Sequence, residues 1–310
     1  MKNLKRRDFI KTSALASIAI FTTPFVGYSK ADQNKKILSL EESLLLKGYD
    51  DEQEEIASLV TDGNGKMWMF SLRRISYPEN NELISTFHFN GKKWIETDLV
   101  TKSAGQYEAP VASCATNGKP VVAWTEIKGK DWIIRASHMK KNGFNKPHTF
   151  HVKKGRSINP ILLAPNKKRN WIAWENLSNG VFTIYISKYK NGQWSEPMII
   201  DKGKNSCFNP AIAEAKNGDL YIAYGLTDGF HQNIEMTILN GQSLAIKETI
   251  PVAIGGGRKD RVNINAKPAL AFDKHDNLWI SYESNRNNSQ EVIIIQESDA
   301  VQFYLTRIVK

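Results

Sequence analysis

The chain is organised around a stretch that begins Pro160-Ile-Leu-Leu-Ala-Pro-Asn-Lys-Lys-Arg-Asn-Trp171-Ile-Ala-Trp174-Glu175 and continues as Thr183-Ile-Tyr-Ile-Ser-Lys-Tyr-Lys-Asn191-Gly192-Gln-Trp194. Short apolar runs rich in isoleucine, leucine and aromatic residues alternate here with polar turn residues. This pattern predicts three short β-strands separated by two turns. The Asn-Gly pair is a strong hairpin signal, because both central residues of a type I′ turn need positive φ.

The same frame recurs about five times along the chain. A proline opens four copies, an aromatic residue follows each proline fourteen positions later, and an Asn-Gly pair comes 30 to 32 positions after three of the prolines. In the first copy, Ala57 to Trp68 aligns with Pro268 to Trp279 although the proline is missing. The prolines are Pro110, Pro160, Pro210 and Pro268, and the aromatic residues, called here the repeat aromatics, are Trp124, Trp174, Tyr224 and Tyr282.

A period near 50 residues with four strands per copy is typical of a propeller blade. The sequence therefore predicts an all-β fold, a β-propeller of four-stranded blades, with five blades, or six or seven if the chain is a fragment. A β-sandwich is the alternative, but a sandwich does not require the same proline, aromatic and Asn-Gly frame in every copy. The predicted propeller covers residues 37–310, with copies starting near 57, 110, 160, 210 and 268, and residues 37–46 are predicted to add an outer strand.

The N-terminus does not follow the repeat. Lys5-Arg6-Arg7-Asp8-Phe9-Ile10-Lys11 precedes a short apolar run, and Ser29-Lys30-Ala31 offers a small-x-small cleavage site. This segment resembles the bacterial twin-arginine export signal, and the resemblance implies a signal peptide at residues 1–31 and a periplasmic or secreted protein. The apolar run is too short for a membrane span, so none is expected after signal removal.

Charge and cysteine content limit the classes of partner. Six of the 42 basic and one of the 32 acidic residues lie in the signal, so the remainder carries a net charge of about +5. This charge favours anionic partners but is small for a nucleic-acid-binding protein, and no nucleic-acid partner is expected. Cys114 and Cys207 occupy non-equivalent positions in their copies, so a disulfide is not expected. No cofactor and no metal site is predicted, because His, Asp and Glu lack ligand spacing, and we expect a monomer.

The propeller topology predicts which loops share a face. The loops from second to third strands and the connections between blades lie together on one face, called here the upper face, and loops carry binding and catalysis more often than strands do. The substrate-binding candidates on this face are Arg73, Arg74, Tyr107, Arg156, Asp228, Arg258, Arg261 and Arg286. The guanidinium groups of the six arginines among them suit bidentate contacts with carboxylate or sulfate groups.

Three carboxylates and one histidine are the catalytic candidates. Glu175 and Glu283 directly follow a repeat aromatic, Glu126 follows one residue later, and His231 lies in a loop of the fourth copy. Paired carboxylates are what glycoside hydrolysis needs, and a histidine is a general base in many lyases and hydrolases. The alternative for the glutamates is a repeated structural role, such as bonding the backbone of the next blade.

The Pro-x-hydrophobic-Ala and Trp/Tyr-hydrophobic-Ala-Trp/Tyr segments, followed by Asn191-Gly-Gln-Trp194-Ser195, resemble the sialidase-like propellers built from bacterial neuraminidase repeats. The Ser and Asp that begin the family's aspartate box are absent here, and the family's arginine triad and nucleophile pair do not map onto these positions. The resemblance implies a carbohydrate-related function: a binding protein for an acidic or neutral glycan, a glycosidase or polysaccharide lyase using the residues above, or a non-catalytic protein-interaction domain. The reading that the residues favour is binding of an acidic polysaccharide.

Overall fold

The computed structural model describes residues 53–76, 81–115, 118–166, 169–201, 203, 205–227, 229–253, 264–284, 291–297 and 303–309. These residues form five antiparallel sheets that follow one another in chain order. The predicted all-β propeller with four-stranded blades is confirmed. None of the described residues belongs to a helix long and apolar enough to cross a bilayer.

Each sheet is one blade, with its first strand innermost. Blade 1 contains β1 (Gln53–Thr61), β2 (Met67–Ser76), β3 (Asn81–Phe89) and β4 (Trp94–Leu99). Blade 2 contains β5 (Gln106–Ser113), β6 (Val121–Lys128), β7 (Asp131–His138) and β8 (His148–Phe150). Blade 3 contains β9 (Arg156–Asn166), β10 (Arg169–Ser178), β11 (Val181–Lys190) and a divided outer strand, β12 (Gln193–Trp194) and β13 (Met198–Ile199). Blade 4 contains β14 (Ser206–Glu214), β15 (Leu220–Thr227), β16 (Gln232–Leu239) and β17 (Ile246–Ala253). Blade 5 contains β18 (Asn265–Phe272), β19 (Leu278–Ser284), β20 (Glu291–Glu297) and β21 (Phe303–Val309).

The apolar core lies in the seams between consecutive blades. Trp124 clusters with Phe70 and Ile84 of blade 1, and Trp174 clusters with Ile134 and Phe150 of blade 2. Tyr224 and Tyr282 pack against blades 3 and 4 in the same way. Every repeat aromatic therefore faces the preceding blade, and this contact explains why the aromatic recurs at a fixed position.

The repeat prolines mark a β-bulge in the innermost strand of each blade. The residue before each proline has positive φ, between 48° and 52°, and the strand register shifts at the same place. Proline cannot donate to the strand ladder, so it belongs at such an interruption. The left-handed conformation is strained for residues with a Cβ atom, less so for asparagine. The four residues are Ala109, Asn159, Asn209 and Lys267.

Replacing Ala109 with glycine is expected to raise the free energy of unfolding by about 1 kcal/mol. Glycine adopts the φ of 48° seen at Ala109 without steric strain, and this gain exceeds the extra chain entropy of the unfolded glycine variant. Urea unfolding measures the difference. Ala112→Gly in the same strand is the control and should be destabilising, because Ala112 is buried and its φ is not positive.

The Asn-Gly pairs stabilise turns by two different means. At Asn191-Gly192 both residues have positive φ, 54° and 87°, as the type I′ prediction requires. At Asn90 and Asn240 the asparagine φ is not positive, and the side-chain Oδ1 instead accepts hydrogen bonds from backbone N–H groups two and three residues ahead at 2.9 to 3.0 Å. The type I′ prediction was therefore wrong for these two turns, because an Asx turn holds them. It was also wrong at Asn142-Gly143, where Gly143 alone of the pair has positive φ.

The predicted alignment of the first copy with the fifth is visible in matching turns. Asp62 Oδ2 accepts a hydrogen bond from Trp68 Nε1 at 3.0 Å, and Asp273 Oδ2 accepts one from Trp279 Nε1 at 3.3 Å. In both turns the other carboxylate oxygen accepts backbone N–H groups. The first copy thus keeps the frame without its proline.

Candidate functional site

Antiparallel pairing places the described candidates at one end of their blades. Glu126 pairs with Tyr107, Leu177 near the end of β10 pairs with Arg156, and Arg74 pairs with Glu82 at the start of β3. Glu175, Glu283 and His231 lie at the corresponding end of blades 3, 5 and 4. These ends form the upper face. The remaining candidates, Asp228, Arg258, Arg261 and Arg286, lie outside the described residues.

Two of the candidates line a cavity of about 320 Å³ between blades 1 and 2, called here the seam pocket. Tyr107 and Trp124 supply aromatic walls, and Glu126 and Arg135 supply charge. Tyr107 is only 5% exposed; its hydroxyl donates to the Ser103 carbonyl at 3.0 Å. The pocket lining is completed by Val100, Thr101, Lys102, Ser103, Phe144, Asn145, Lys146 and Pro147.

The electrostatics of the seam pocket favour an anion. The Glu126 carboxylate accepts a hydrogen bond from Arg135 Nε and lies 3.0 Å from Lys128 Nζ. Lys102 and Lys146 add positive charge to the lining, so cations outnumber the single carboxylate. Burial raises the pKa of Tyr107, and the neighbouring Glu126 charge adds to the rise, so the phenol keeps its proton at neutral pH. The pocket therefore presents cationic groups and apolar ring surface.

The two arginines of β2 are held by glutamates of the same blade. Arg73 Nη1 lies 3.2 Å from Glu96 Oε1, and Arg74 Nη2 lies 3.3 Å from Glu82 Oε1. The other oxygen of Glu82 accepts the backbone N–H of Tyr107 at 2.8 Å. Arg74 is thus linked through Glu82 to the strand that carries Tyr107, whereas Arg73 points to the outer strand of blade 1.

Arg156 occupies the next seam. Its guanidinium carbon lies 5.5 Å from the centre of the Trp132 ring, a cation–π contact between blades 3 and 2. The exposed Arg156 is therefore positioned by an aromatic side chain of the preceding blade.

Glu175 joins the bulges of blades 3 and 4. Its side chain is buried, Oε2 accepts from Asn159 Nδ2 at 2.9 Å, and Oε1 accepts from the backbone N–H of Asn209 at 2.7 Å. Asn159 and Asn209 are the left-handed residues before the repeat prolines. This contact is the structural alternative foreseen for a repeated glutamate, and a catalytic role for Glu175 stays a prediction.

The Glu175→Gln variant is expected to gain stability relative to the wild type as pH rises. Burial outweighs the two hydrogen bonds and raises the pKa of Glu175 above its ordinary value of 4.5, so the folded protein favours the protonated form. The stability that protonation contributes is present at acidic pH and is lost as pH rises through the raised pKa. Glutamine mimics the protonated form at every pH, so urea unfolding from about pH 4 to about pH 7 should show the difference growing. A difference that shrinks with pH contradicts this account.

Glu283 and His231 contact different residues from those around Glu126 and Glu175. Glu283 Oε1 lies 3.3 Å from Lys267 Nζ, and both side chains are partly exposed. The His231 carbonyl accepts from Thr227 Oγ1 at 2.9 Å, and the His231 ring meets Phe230 edge-on at 4.7 Å. The partners of Glu126, Glu175 and Glu283 are different residues in each case, so the structure does not show a shared carboxylate centre. Among the described residues no group of three or more His, Cys, Asp or Glu could hold a metal ion.

Arg135 was not among the predicted site residues, because those were sought in loops and Arg135 lies in β7. Arg135 pairs with Trp124 in the register of β6 and β7. Since residues paired across neighbouring strands lie on the same side of a sheet, Arg135 shares its side with the repeat aromatic and with Glu126, two residues further along β6. The strand alternation was the signal that could have placed it in the seam.

No protein family and no curated protein sequence matches the chain. Several solved structures share its fold. An α-L-arabinanase of Penicillium chrysogenum complexed with arabinobiose is 12% identical, with a TM-score of 0.55 over 83% of this chain and 81% of that one. An ulvan lyase of polysaccharide lyase family PL25, bound to a glucuronate–sulfated rhamnose unit, is 13% identical, with a TM-score of 0.56 over 81% and 68%. A subtype N10 neuraminidase-like protein of a bat influenza A virus is 9% identical, with a TM-score of 0.55 over 83% of each chain. The chain thus shares the β-propeller fold of these proteins.

Proposed function

We propose that this chain is an exported β-propeller that binds an acidic polysaccharide at the seam pocket and the adjoining upper face. The observation that carries the proposal is the seam pocket, which combines the Tyr107 and Trp124 rings with the cations Arg135, Lys102 and Lys146. The Arg6-Arg7 motif supports export through the twin-arginine pathway.

The chemistry of the pocket suits a uronate or sulfated sugar. Glu126 accepts from the Nε atom of Arg135, and the two Nη groups of a guanidinium remain a planar pair of donors for a carboxylate or sulfate. The partly exposed Phe144 and Pro147 of the lining offer apolar area to the C–H groups of a sugar ring, and such a mixture of apolar walls and few polar anchors is typical of small-ligand sites. The fold neighbours whose structures contain arabinobiose and an ulvan unit support a carbohydrate ligand for this fold.

An enzyme acting at the same pocket is the second candidate. Tyr107, Glu126 and Arg135 line one cavity, and a lyase needs a base beside a group that neutralises the uronate. The raised pKa of Tyr107 works against the phenol as that base. Binding without cleavage is therefore the function that the geometry supports best.

The test is to pass the protein without its predicted signal over immobilised polygalacturonate, alginate, ulvan and neutral galactan. We expect retention on at least one acidic polysaccharide, weakening with added salt, and no release of reducing or unsaturated ends. Arg135→Gln should weaken retention at least about tenfold, since charge-assisted hydrogen bonds are lost. Lys92→Gln, which removes an exposed charge from the β3–β4 turn outside the pocket lining, is the control and should leave retention unchanged.

Three other results would contradict binding at the seam pocket. No retention on any acidic polysaccharide overturns the proposal. Retention accompanied by released ends replaces binding with the enzymatic candidate. Equal losses in Arg135→Gln and Lys92→Gln would mean that net charge, rather than the seam pocket, holds the polysaccharide.

A further inference from the structure

A second cavity, of about 450 Å³, lies between the outer parts of blades 2 and 3 and is called here the aromatic cleft. Four rings line it: His138 and His148 from blade 2, and Tyr189 and Trp194 from blade 3. Both histidines lie in the two outer strands of blade 2, His138 at the end of β7 and His148 at the start of β8. The cleft is as large as many small-molecule sites, which span roughly 300–1,000 Å³.

The rings form one connected cluster around Trp194. The Trp194 ring centre lies 5.2 Å from Tyr189, 6.0 Å from His138 and 6.5 Å from His148. The His138 ring lies over Tyr189 at 4.2 Å with an interplanar angle of 35°. His138, Tyr189 and Trp194 are half-buried and His148 is exposed. The cluster therefore combines fixed rings with ring surface that a ligand can reach.

The outer edges of the two blades explain why the cleft exists. Blade 2 ends in β8, which has only three residues, and the outer strand of blade 3 is divided into two-residue pieces on either side of Pro197. Proline cannot donate to a strand ladder, so it is suited to such an interruption. The outer strands of blades 1 and 4 have six and eight residues. The shortened edges leave open the space that the cleft occupies.

The charge and polarity of the cleft favour an uncharged, hydroxyl-rich ligand face. Burial lowers the pKa of His138 to about 4, so this ring is neutral at neutral pH. Its Nε2 accepts a hydrogen bond from Asn170 Nδ2 at 2.9 Å, and this bond fixes the ring plane. Asn145, Gln193 and Lys146 place amide and ammonium groups around the rings. Aromatic rings pack on the C–H groups of a pyranose, and the surrounding amides can form hydrogen bonds with its hydroxyl groups. An inorganic anion fits the cleft less well, because Lys146 is the only cation in the lining.

We propose that the aromatic cleft is a second saccharide-binding site that takes one or two pyranose units, with Trp194 as its central contact. Asn145, Lys146 and Pro147 line both the cleft and the seam pocket. A polysaccharide held by its acidic groups in the seam pocket is therefore placed to continue across this segment into the cleft. The link between the two sites rests on the proposed function, whereas the cleft itself binds short saccharides independently.

The test uses three disaccharides, galactobiose, cellobiose and digalacturonate, titrated against the protein while tryptophan fluorescence and heat of binding are recorded. At least one should bind and change the fluorescence, and the change should be absent in Trp194→Phe, which keeps a ring but removes the indole. Trp194→Ala should weaken binding at least about tenfold. His148→Ala, which truncates an exposed ring, should weaken binding severalfold with the fold intact even if Trp194→Ala is unstable.

Arg135→Gln separates the cleft from the seam pocket. It should leave binding of the neutral disaccharides unchanged while it weakens retention on acidic polysaccharides. If none of the three disaccharides binds, or if binding is unaffected by both Trp194→Phe and His148→Ala, the cleft proposal is overturned, whereas polysaccharide retention that depends on Arg135 leaves the proposed function intact. Disaccharide binding that depends on Trp194, without polysaccharide retention, supports the cleft and overturns the proposed function.

Discussion

Replacing Trp174 with alanine is expected to lower the free energy of unfolding by about 3–5 kcal/mol. The Trp174 side chain is fully buried in the seam between blades 2 and 3. Its ring stacks on Tyr185 at 5.7 Å with an interplanar angle of 17° and meets Phe150 at 5.2 Å. Alanine leaves a cavity that the flanking sheets cannot close without moving as units. Equilibrium urea unfolding, followed by circular dichroism, measures the loss.

Trp279→Ala is the matched control for Trp174→Ala. Trp279 is 36% exposed, and its Nε1 donates to Asp273 at 3.3 Å. Its removal exposes little core and gives up one hydrogen bond, so we expect a loss of about 1 kcal/mol. Equal losses in the two variants would contradict the view that the seam between blades carries the stability.

Replacing Glu214 with alanine is the second large effect, with an expected loss of about 2–4 kcal/mol. Glu214 in blade 4 accepts from the indole N–H of the fully buried Trp171 at 2.7 Å, and it pairs closely with Arg169 of blade 3. Removing the carboxylate leaves the Trp171 donor without this acceptor and the largely buried Arg169 without its counter-charge. Thermal and urea unfolding should both report the loss.

A double-mutant cycle shows whether the loss comes from the unpaired partner. Arg169→Met combined with Glu214→Leu should be less destabilising than the sum of the two single changes, because no charge is then left unpaired. The exposed pair of Lys267 and Glu283 is the comparison: Lys267→Met should change stability by less than about 1 kcal/mol. Additive losses at Arg169 and Glu214 would mean that the two side chains act separately.

Much of the fold was predictable because blade packing imposes the same requirements on every copy. The repeat aromatic recurs since each seam needs a large side chain at one place, and Trp124, Trp174 and Tyr224 are indeed almost fully buried. The role of the prolines was not predictable, because a bulge with positive φ at Ala109 or Lys267 leaves no clear mark in residues that do not favour that conformation.

The candidate site was predictable only in part. The expectation that loops at one end of the blades come together follows from strand order alone and needs no side-chain detail. The direction in which a side chain points decides its partners, and it is set by strand alternation and by bulges that shift the alternation by one residue. Glu126 lies two residues after its repeat aromatic, and Glu175 lies one residue after. Glu126 of blade 2 therefore faces the preceding blade, blade 1, whereas Glu175 of blade 3 faces the following blade, blade 4.

The sequence did not predict a binding role for Trp194, although Trp194 belongs to the stretch that defines the repeat. Its environment depends on how far the outer strands of two different blades extend. The extent of an outer strand depends on contacts distant in sequence. A period of about 50 residues predicts the seam but not the gaps at its outer end.

The direction in which the repeat aromatics face also bears on how the protein is made. Each aromatic of blades 2 to 5 packs on the blade that precedes it in the chain. During synthesis from the N-terminus, the surface that receives Trp124, Trp174, Tyr224 or Tyr282 is thus already translated when that residue emerges. The nascent chain can therefore add one blade at a time, and these four repeat aromatics do not wait exposed for a partner still on the ribosome.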